Sequence, residues 1–147
     1  MPEPRIVDGP AAEPGRADVT GETSERVIRD YVAEVLNLGD PLAATRLISD
    51  ETLGQRTAVF RKAFPDLRVT IQELVADGDR VAAHLLARGT HLGIYAGCPP
   101  TGRQWTAACT AIYRVHDGRI VDHRATWELL TLMEQLGCIR RLPNVSA

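Results

Sequence analysis

The sequence predicts an α+β fold, in which short helices come first and then lie across one face of a strongly curved antiparallel sheet. Three observations carry this. Between Ser24 and Phe64 the apolar residues recur at helical spacing. From Leu67 the period changes to two, with turn residues at Asp77-Gly78-Asp79 and His116-Asp117-Gly118. After Trp127-Glu128 the period returns to helical, with Leu129, Leu132, Met133 and Leu136 on one stripe and Gly137 at the stop position.

Taken in order, Met1–Glu22 is rich in Pro, Gly, Ala and charge, with Ile6, Val7 and Val19 as its branched apolar residues. It reads as a flexible tail, because it offers little apolar surface to offset the entropy of ordering. One domain follows over 23–140, and 141–147 reads as a C-terminal tail. Ser24 is placed as the cap of a first helix carrying Val27, Ile28, Tyr31, Val32, Val35 and Leu36, which Gly39 closes. Asp40-Pro41 starts a second, short helix. Glu51 to Phe64 reads as a third, with Leu53, Val59, Phe60, Ala63 and Phe64 as its apolar side, and Pro65-Asp66 breaks it. Strands are expected over Leu67–Val75, Arg80–Thr90, Gln104–Val115 and Ile120–Glu128. The glycines and prolines between Leu92 and Arg103 mark a loop that could fold over an opening.

With 147 residues the chain can bury a core as one domain, and a net charge of −2 gives no electrostatic reason to expect nucleic acid or an anionic membrane. The apolar runs are short of a membrane span, and the N-terminus lacks the basic-then-apolar layout of a signal peptide. Cys98, Cys109 and Cys138 are an odd set without metal-like spacing, so they read as free thiols in a reducing cytoplasm. No Cys/His/Asp cluster has ligand spacing and no Gly-rich strand-to-helix turn offers a dinucleotide site, so neither metal nor organic cofactor is expected.

Glu128 is the first candidate for chemistry. It lies at a strand-to-helix junction between Trp127 and two leucines, apolar company that raises a carboxyl's pKa and suits it to acid/base work; an exposed glutamate near a helix start is the plain alternative. Arg124 and Thr126 share its face by alternation, and Arg124 could hold a ketone or phenolate oxygen or pair with Glu128. His123, five positions earlier, points to the opposite face, as a functional or a merely satisfied histidine. On the second strand the more polar set includes His84 and Arg88, which makes it the face assigned to a pocket. Trp105, Tyr113 and Trp127 read as core, or as an aromatic wall for a planar ligand. Cys109 has no base near it in sequence, so it is a poor nucleophile.

AFPDLRV, the turn GDRVA, GTHLGIYAG followed by PPTGR, YRVHDGRIVDH and MEQLG occur in the order and spacing of the SnoaL-like polyketide cyclases of the nuclear-transport-factor-2-like superfamily. The resemblance covers Phe64 to Gly137 strongly and the first helix weakly. It implies a cone-shaped α+β barrel around a deep apolar cavity, a homodimer or homotetramer, and catalysis without metal or organic cofactor. It also implies an intramolecular aldol closure of an anthracycline-type polyketide, with an Asp at the position of Glu128 as acid/base, and a pocket-rim role for His91. Two departures stand out. Cys109 and Ala111 occupy positions where the cyclases place a glutamine and a histidine in the cavity, and Leu47–Phe64 lacks the family's His-containing stretch. They favour a cofactor-independent, hydroxylase-type tailoring enzyme in which Glu128 deprotonates an electron-rich ring that reacts with oxygen. Its ligand would be a polycyclic aromatic polyketide, with a pathway reductase as a candidate partner. Aldol cyclisation is the alternative, and a non-catalytic binding or oligomerisation module is the third reading.

Overall fold

The structure, a computed structural model, describes residues 19–140 together with 142 and 143. Most of the two expected tails, namely 1–18, 141 and 144–147, therefore lies outside the described residues. The elements run α1 (Val19–Asp30), a π-helical segment (Tyr31–Asn37), α2 (Pro41–Leu47), α3 (Glu51–Ala63), β1 (Arg68–Asp77), β2 (Arg80–Thr90), β3 (Gln104–His116), β4 (Arg119–Trp127) and α4 (Leu129–Leu136). The strands form an open antiparallel sheet in the order β1-β2-β3-β4. Register shifts between Ile71 and Glu73 and between Arg114 and Val115 are bulges, which bend the strands that carry them.

The N-terminal half differs from expectation at its start. Helix α1 begins at Val19, so Val19–Glu22, expected as the end of the tail, is helical, and Ser24 lies inside the helix and is not its cap. It is buried, and its hydroxyl donates to the Gly78 carbonyl in the β1–β2 turn at 2.8 Å, tying α1 to that hairpin. Asp40 caps α2 as expected, accepting from the Leu42 amide at 2.9 Å. Asn37 meets β1 edge-on: its side chain accepts from the Val69 amide at 2.7 Å and donates to the Val69 carbonyl at 3.0 Å, so both backbone groups of this edge residue are satisfied.

On β2 the buried residues are Val81, Ala83, Leu85, Ala87 and Gly89, and on β3 they are Trp105, Ala107, Cys109, Ala111, Tyr113 and Val115. These two sets make the concave face, which packs against Ile28, Tyr31, Val32 and Val35 of the N-terminal helices. Their neighbours on the other face, including His84, Leu86, Arg88 and Ile112, are exposed. Apolar area, rather than the more polar set, decides which side of a half-covered sheet faces the core.

The loop between β2 and β3 is tied down at both ends. His91 donates its amide to the Arg103 carbonyl at 2.9 Å, and the amides of Leu92 and Gly93 both donate to the Ala63 carbonyl at the end of α3. Gly93 is required there, because an added Cβ would stand 2.5 Å from the Lys62 carbonyl oxygen. At its far side Cys98 is disulfide-bonded to Cys138, just beyond α4, with Cα atoms 5.9 Å apart. This corrects the expectation of three free thiols. The pair is 40 residues apart in sequence and becomes adjacent only because the loop folds onto the end of α4, leaving Cys109 as the free, buried thiol. No helix among the described residues is long and apolar enough to cross a membrane.

Candidate active site

A cavity of about 760 Å³ opens between α3 and β4, within the range of small-molecule sites. The π-helical segment supplies Tyr31, α3 supplies Leu53, Thr57, Val59 and Phe60, and Leu67 and Val69 close one side. The β2–β3 loop contributes Tyr95, and β4 contributes His123, Ala125, Thr126 and Trp127. Phe60 is the hub of an aromatic cluster: its ring centroid lies 5.7 Å from Tyr95 and 5.1 Å from Trp127, which line the cavity with it, and 4.9 Å from Phe64 and 5.6 Å from Trp105, which back them. Such a wall suits a flat, apolar ligand.

His123, one of the polar residues lining this cavity with Gln55 and Arg56, is paired with a carboxylate that does not itself line it. His123 Nδ1 and Asp50 Oδ2 are 2.7 Å apart, with side chains only 6% and 14% exposed. Local structure explains the meeting. The segment before α3 is pinned to β4, because the Ser49 and Asp50 amides both donate to the Ile120 carbonyl and Arg119 donates to the carbonyls of Thr45 and Ile48. Asp50 then caps α3, accepting from the Leu53 amide through Oδ1 at 3.2 Å, and keeps Oδ2 for the imidazole. An Nδ1–H donated to the carboxylate leaves the His123 Nε2 lone pair free to accept a proton.

Burial on its own pushes the Asp50 carboxyl up, but the His123 hydrogen bond, the Leu53 and Thr52 amides and the imidazole charge together hold it below its ordinary value. Asp66 is likewise held low: burial raises it, while Thr90, through hydroxyl and amide, and the Arg61 charge outweigh that. A carboxyl whose folded value lies below the unfolded one, about 3.9, stabilises the fold fully above that value and stops doing so as pH falls through the folded value. The melting temperature should therefore drop as pH is lowered below about 4, and more shallowly in Asp50→Asn. An identical acid slope in that variant would show that Asp50 contributes nothing.

Two hydroxyls complete the cavity. Tyr31 and Thr57 are buried, with Oη and Oγ1 3.3 Å apart. Burial pushes the Tyr31 phenol up to about 12, so it keeps its proton and can donate at neutral pH.

The structure distributes the sequence candidates over three places. His123, Thr126 and Trp127 line the cavity. Trp105, Tyr113, Cys109 and His91 are buried in the packing behind it and are not lining residues. Burial pushes the Cys109 thiol up to about 12, which keeps it protonated and unreactive. His91 sits under the loop against Phe64 and not at a rim. His84, Arg88 and Arg124 are exposed on the convex face, Arg124 opposite Ile112.

Glu128 is also outside the cavity. Strand alternation turns Trp127 inward, and Glu128 is exposed, with Oε2 accepting from the Ala108 amide at 3.1 Å. Its apolar neighbours therefore do not enclose it, and Arg124 makes no ion pair with it. Sequence reasoning missed Asp50, Tyr31 and Thr57 as site residues. Asp50 carried a legible signal as the capping residue before Glu51, whereas its pairing with a strand 73 residues on did not. Among the described residues, His91, Cys98 and Cys138 form the one grouping of three potential metal ligands, and it lies outside the cavity.

A family model described as SnoaL-like polyketide cyclase matches residues 17–136. The chain is 37% identical to the aklanonic acid methyl ester cyclase DnrD of Streptomyces peucetius, over 80% of this chain and 81% of that protein. It is 37% identical to the nogalonic acid methyl ester cyclase of Streptomyces nogalater over 41% of this chain, a match that spans 45% of that relative's length. IdmH of Streptomyces antibioticus, proposed to be a polyketide cyclase, superposes with a TM-score of 0.65 at 31% identity, covering 78% of this chain and 98% of its own. AclR of Streptomyces galilaeus, proposed to be a hydroxylase, gives a TM-score of 0.72 at 24% identity over 85% and 87%, which is a likeness of fold.

Proposed function

We infer the reaction from kinship and geometry together: this chain belongs to the SnoaL-like polyketide cyclase family, and as a polyketide tailoring enzyme it closes a ring of an aromatic polyketide methyl ester by an intramolecular aldol step. The observation that carries this reading is His123, paired with Asp50, lining an apolar cavity with Tyr31 and Thr57.

In the proposed step His123 Nε2 takes a proton from a carbon next to a carbonyl. The enolate carbon attacks a second carbonyl carbon of the same molecule, forming the C–C bond. The resulting alkoxide takes the proton back from the imidazolium, so the product is an isomer of the substrate. The Asp50 carboxylate orients the ring and stabilises its cationic form. The Tyr31 and Thr57 hydroxyls are donors for oxygen that gains charge, supplied from the helical side of the cavity. They answer the departure at Cys109 and Ala111, where the strand supplies no such donors. A methyl ester, being neutral, also suits the apolar wall around Phe60.

This reading moves the acid/base from Glu128 to His123. It also takes cyclisation ahead of hydroxylation, since the relatives named at 30% identity or more are cyclases or proposed cyclases. The test is incubation with aklanonic acid methyl ester, with and without oxygen, followed by product mass and chromatography against authentic standards. An isomer of unchanged mass formed equally well without oxygen is the expected result. A product heavier by one oxygen would make the protein a hydroxylase, and substrate bound but unchanged would make it a binding module. Either outcome overturns the cyclase reading.

A further inference from the structure

We propose that Arg56 sets which ligand the cavity accepts: a flat aromatic body with an acidic phenol on its edge, bound as the phenolate against the guanidinium. This rests on the aromatic ligand class of the reading above, and not on the assignment of His123 as acid/base.

The first observation is an unanswered charge. Arg56 lines the cavity, and no aspartate or glutamate lines it. Among the described residues Arg56 makes no ion pair and no hydrogen bond. The other arginine of α3 is used for structure, since Arg61 donates to the Leu36 and Asn37 carbonyls at 3.1 and 3.4 Å. A guanidinium offers five donors in a planar fork and no acceptor. An oxygen that carries negative charge is what complements it.

The second observation is position. Leu53, Arg56 and Phe60 follow one another on α3 at spacings of three and four, and all three line the cavity. Residues four apart on a helix have Cβ atoms about 5–6 Å apart, so a ring stacked on Phe60 has its edge within reach of Arg56. Phenol oxygens lie in the ring plane and leave it at that edge. Stacking alone leaves a flat ligand free to turn in its own plane, and one charged contact at the rim removes that freedom.

The third observation is the company. The other titratable side chains lining the cavity are Tyr31 on the π-helical segment, Tyr95 on the β2–β3 loop and His123 on β4. Burial pushes both phenols up, so neither supplies a negative charge near neutral pH. Asp50, behind His123, is committed to the imidazole and to the Leu53 amide. Arg56 is therefore the lining side chain with a permanent charge, and a positive charge beside a phenol favours its ionised form. The side chain is exposed at the cavity's edge, so solvent screens part of this effect.

The experiment uses the full chain and two probes of one shape, 2-hydroxyanthraquinone and 2-methoxyanthraquinone. The hydroxy probe is titrated with pH free and protein-bound, and its phenolate is read by its long-wavelength absorbance. The expected result is a phenol that ionises at lower pH when bound to wild-type protein than when free, and at least about one pH unit lower than when bound to Arg56→Gln. Arg56→Lys should keep part of that shift. His123→Gln should keep it, which separates the guanidinium from the imidazole as its source. The methoxy probe should bind wild-type and Arg56→Gln equally well, because it has no proton to lose. Melting temperatures confirm that each variant is folded. A bound phenol that ionises at or above the free value in wild-type protein, or at the same pH in Arg56→Gln, would overturn the assignment. Failure of both probes to bind would strike the aromatic ligand class and this proposal with it. A phenolate shift in a protein that closes no ring would strike the reaction and leave Arg56 in place.

Discussion

His123→Gln should lower turnover of the polyketide ester by about 10²–10⁴-fold, the usual contribution of a positioned general acid or base, with little change in substrate affinity. Glutamine can still donate to Asp50 Oδ2 and fill much of the same space, so the cap of α3 and the shape of the cavity survive. What it cannot do is take up and return a proton. Asp50→Asn should also reduce turnover, because asparagine still caps the helix but no longer offers the imidazole a charged acceptor. Glu128→Gln should stay near wild-type, since its carboxylate is exposed and bonded to the Ala108 amide at 3.1 Å. Steady-state kinetics on the three variants, with melting temperatures alongside, make the comparison. Full activity in His123→Gln would end the case for this pair, and an inactive Glu128→Gln would return the chemistry to the strand–helix junction.

The contrast between Glu128 and His123 shows where sequence reading stops. Alternation along β4 was legible: His123 lines the cavity, and Glu128, just past the end of the strand, is exposed outside it. Which face is concave was not, because that depends on where α1 and α3 pack, and the local apolar company of Glu128 pointed to the wrong side. The same ambiguity sent His84 and Arg88 into the pocket, although Val81, Ala83, Leu85, Ala87 and Gly89 are the covered set. Elements with strong local punctuation were read well. Arg80–Thr90 came out with its observed limits, and Gly137 ends α4 with φ 77°. Contacts distant in sequence were invisible: Asp50 with His123, and Cys98 with Cys138, each depend on a segment folding back against an element that no local pattern names. The family resemblance bridged part of that gap, giving the curved sheet and the cavity before any coordinate. It could not supply a pair built from this chain's own Asp50.

Phe64→Ala should destabilise the fold by about 3–5 kcal/mol, as for a large aromatic removed from a packed core. Phe64 is fully buried, and its ring lies 4.9 Å from Phe60, 5.2 Å from Tyr95, 4.8 Å from Trp105 and 6.0 Å from His91 by centroid. It closes the end of α3 against the β2–β3 loop, where Leu92 and Gly93 also hang from the Ala63 carbonyl. Removing it leaves a void that the loop's backbone bonds and the Cys98–Cys138 link prevent from collapsing. For a chain of this length the loss should lower the melting temperature by roughly 10 °C or more. Phe60→Ala should behave differently. Its ring is only partly buried and faces the cavity, so the truncation enlarges a space that is already open. Its main effect should be weaker binding of the planar substrate, with the smaller loss of stability. Thermal unfolding and ligand titration on both variants separate the two roles. Equal destabilisation with unchanged ligand affinity would show that Phe60 is merely another core residue and that the ligand does not stack on this wall.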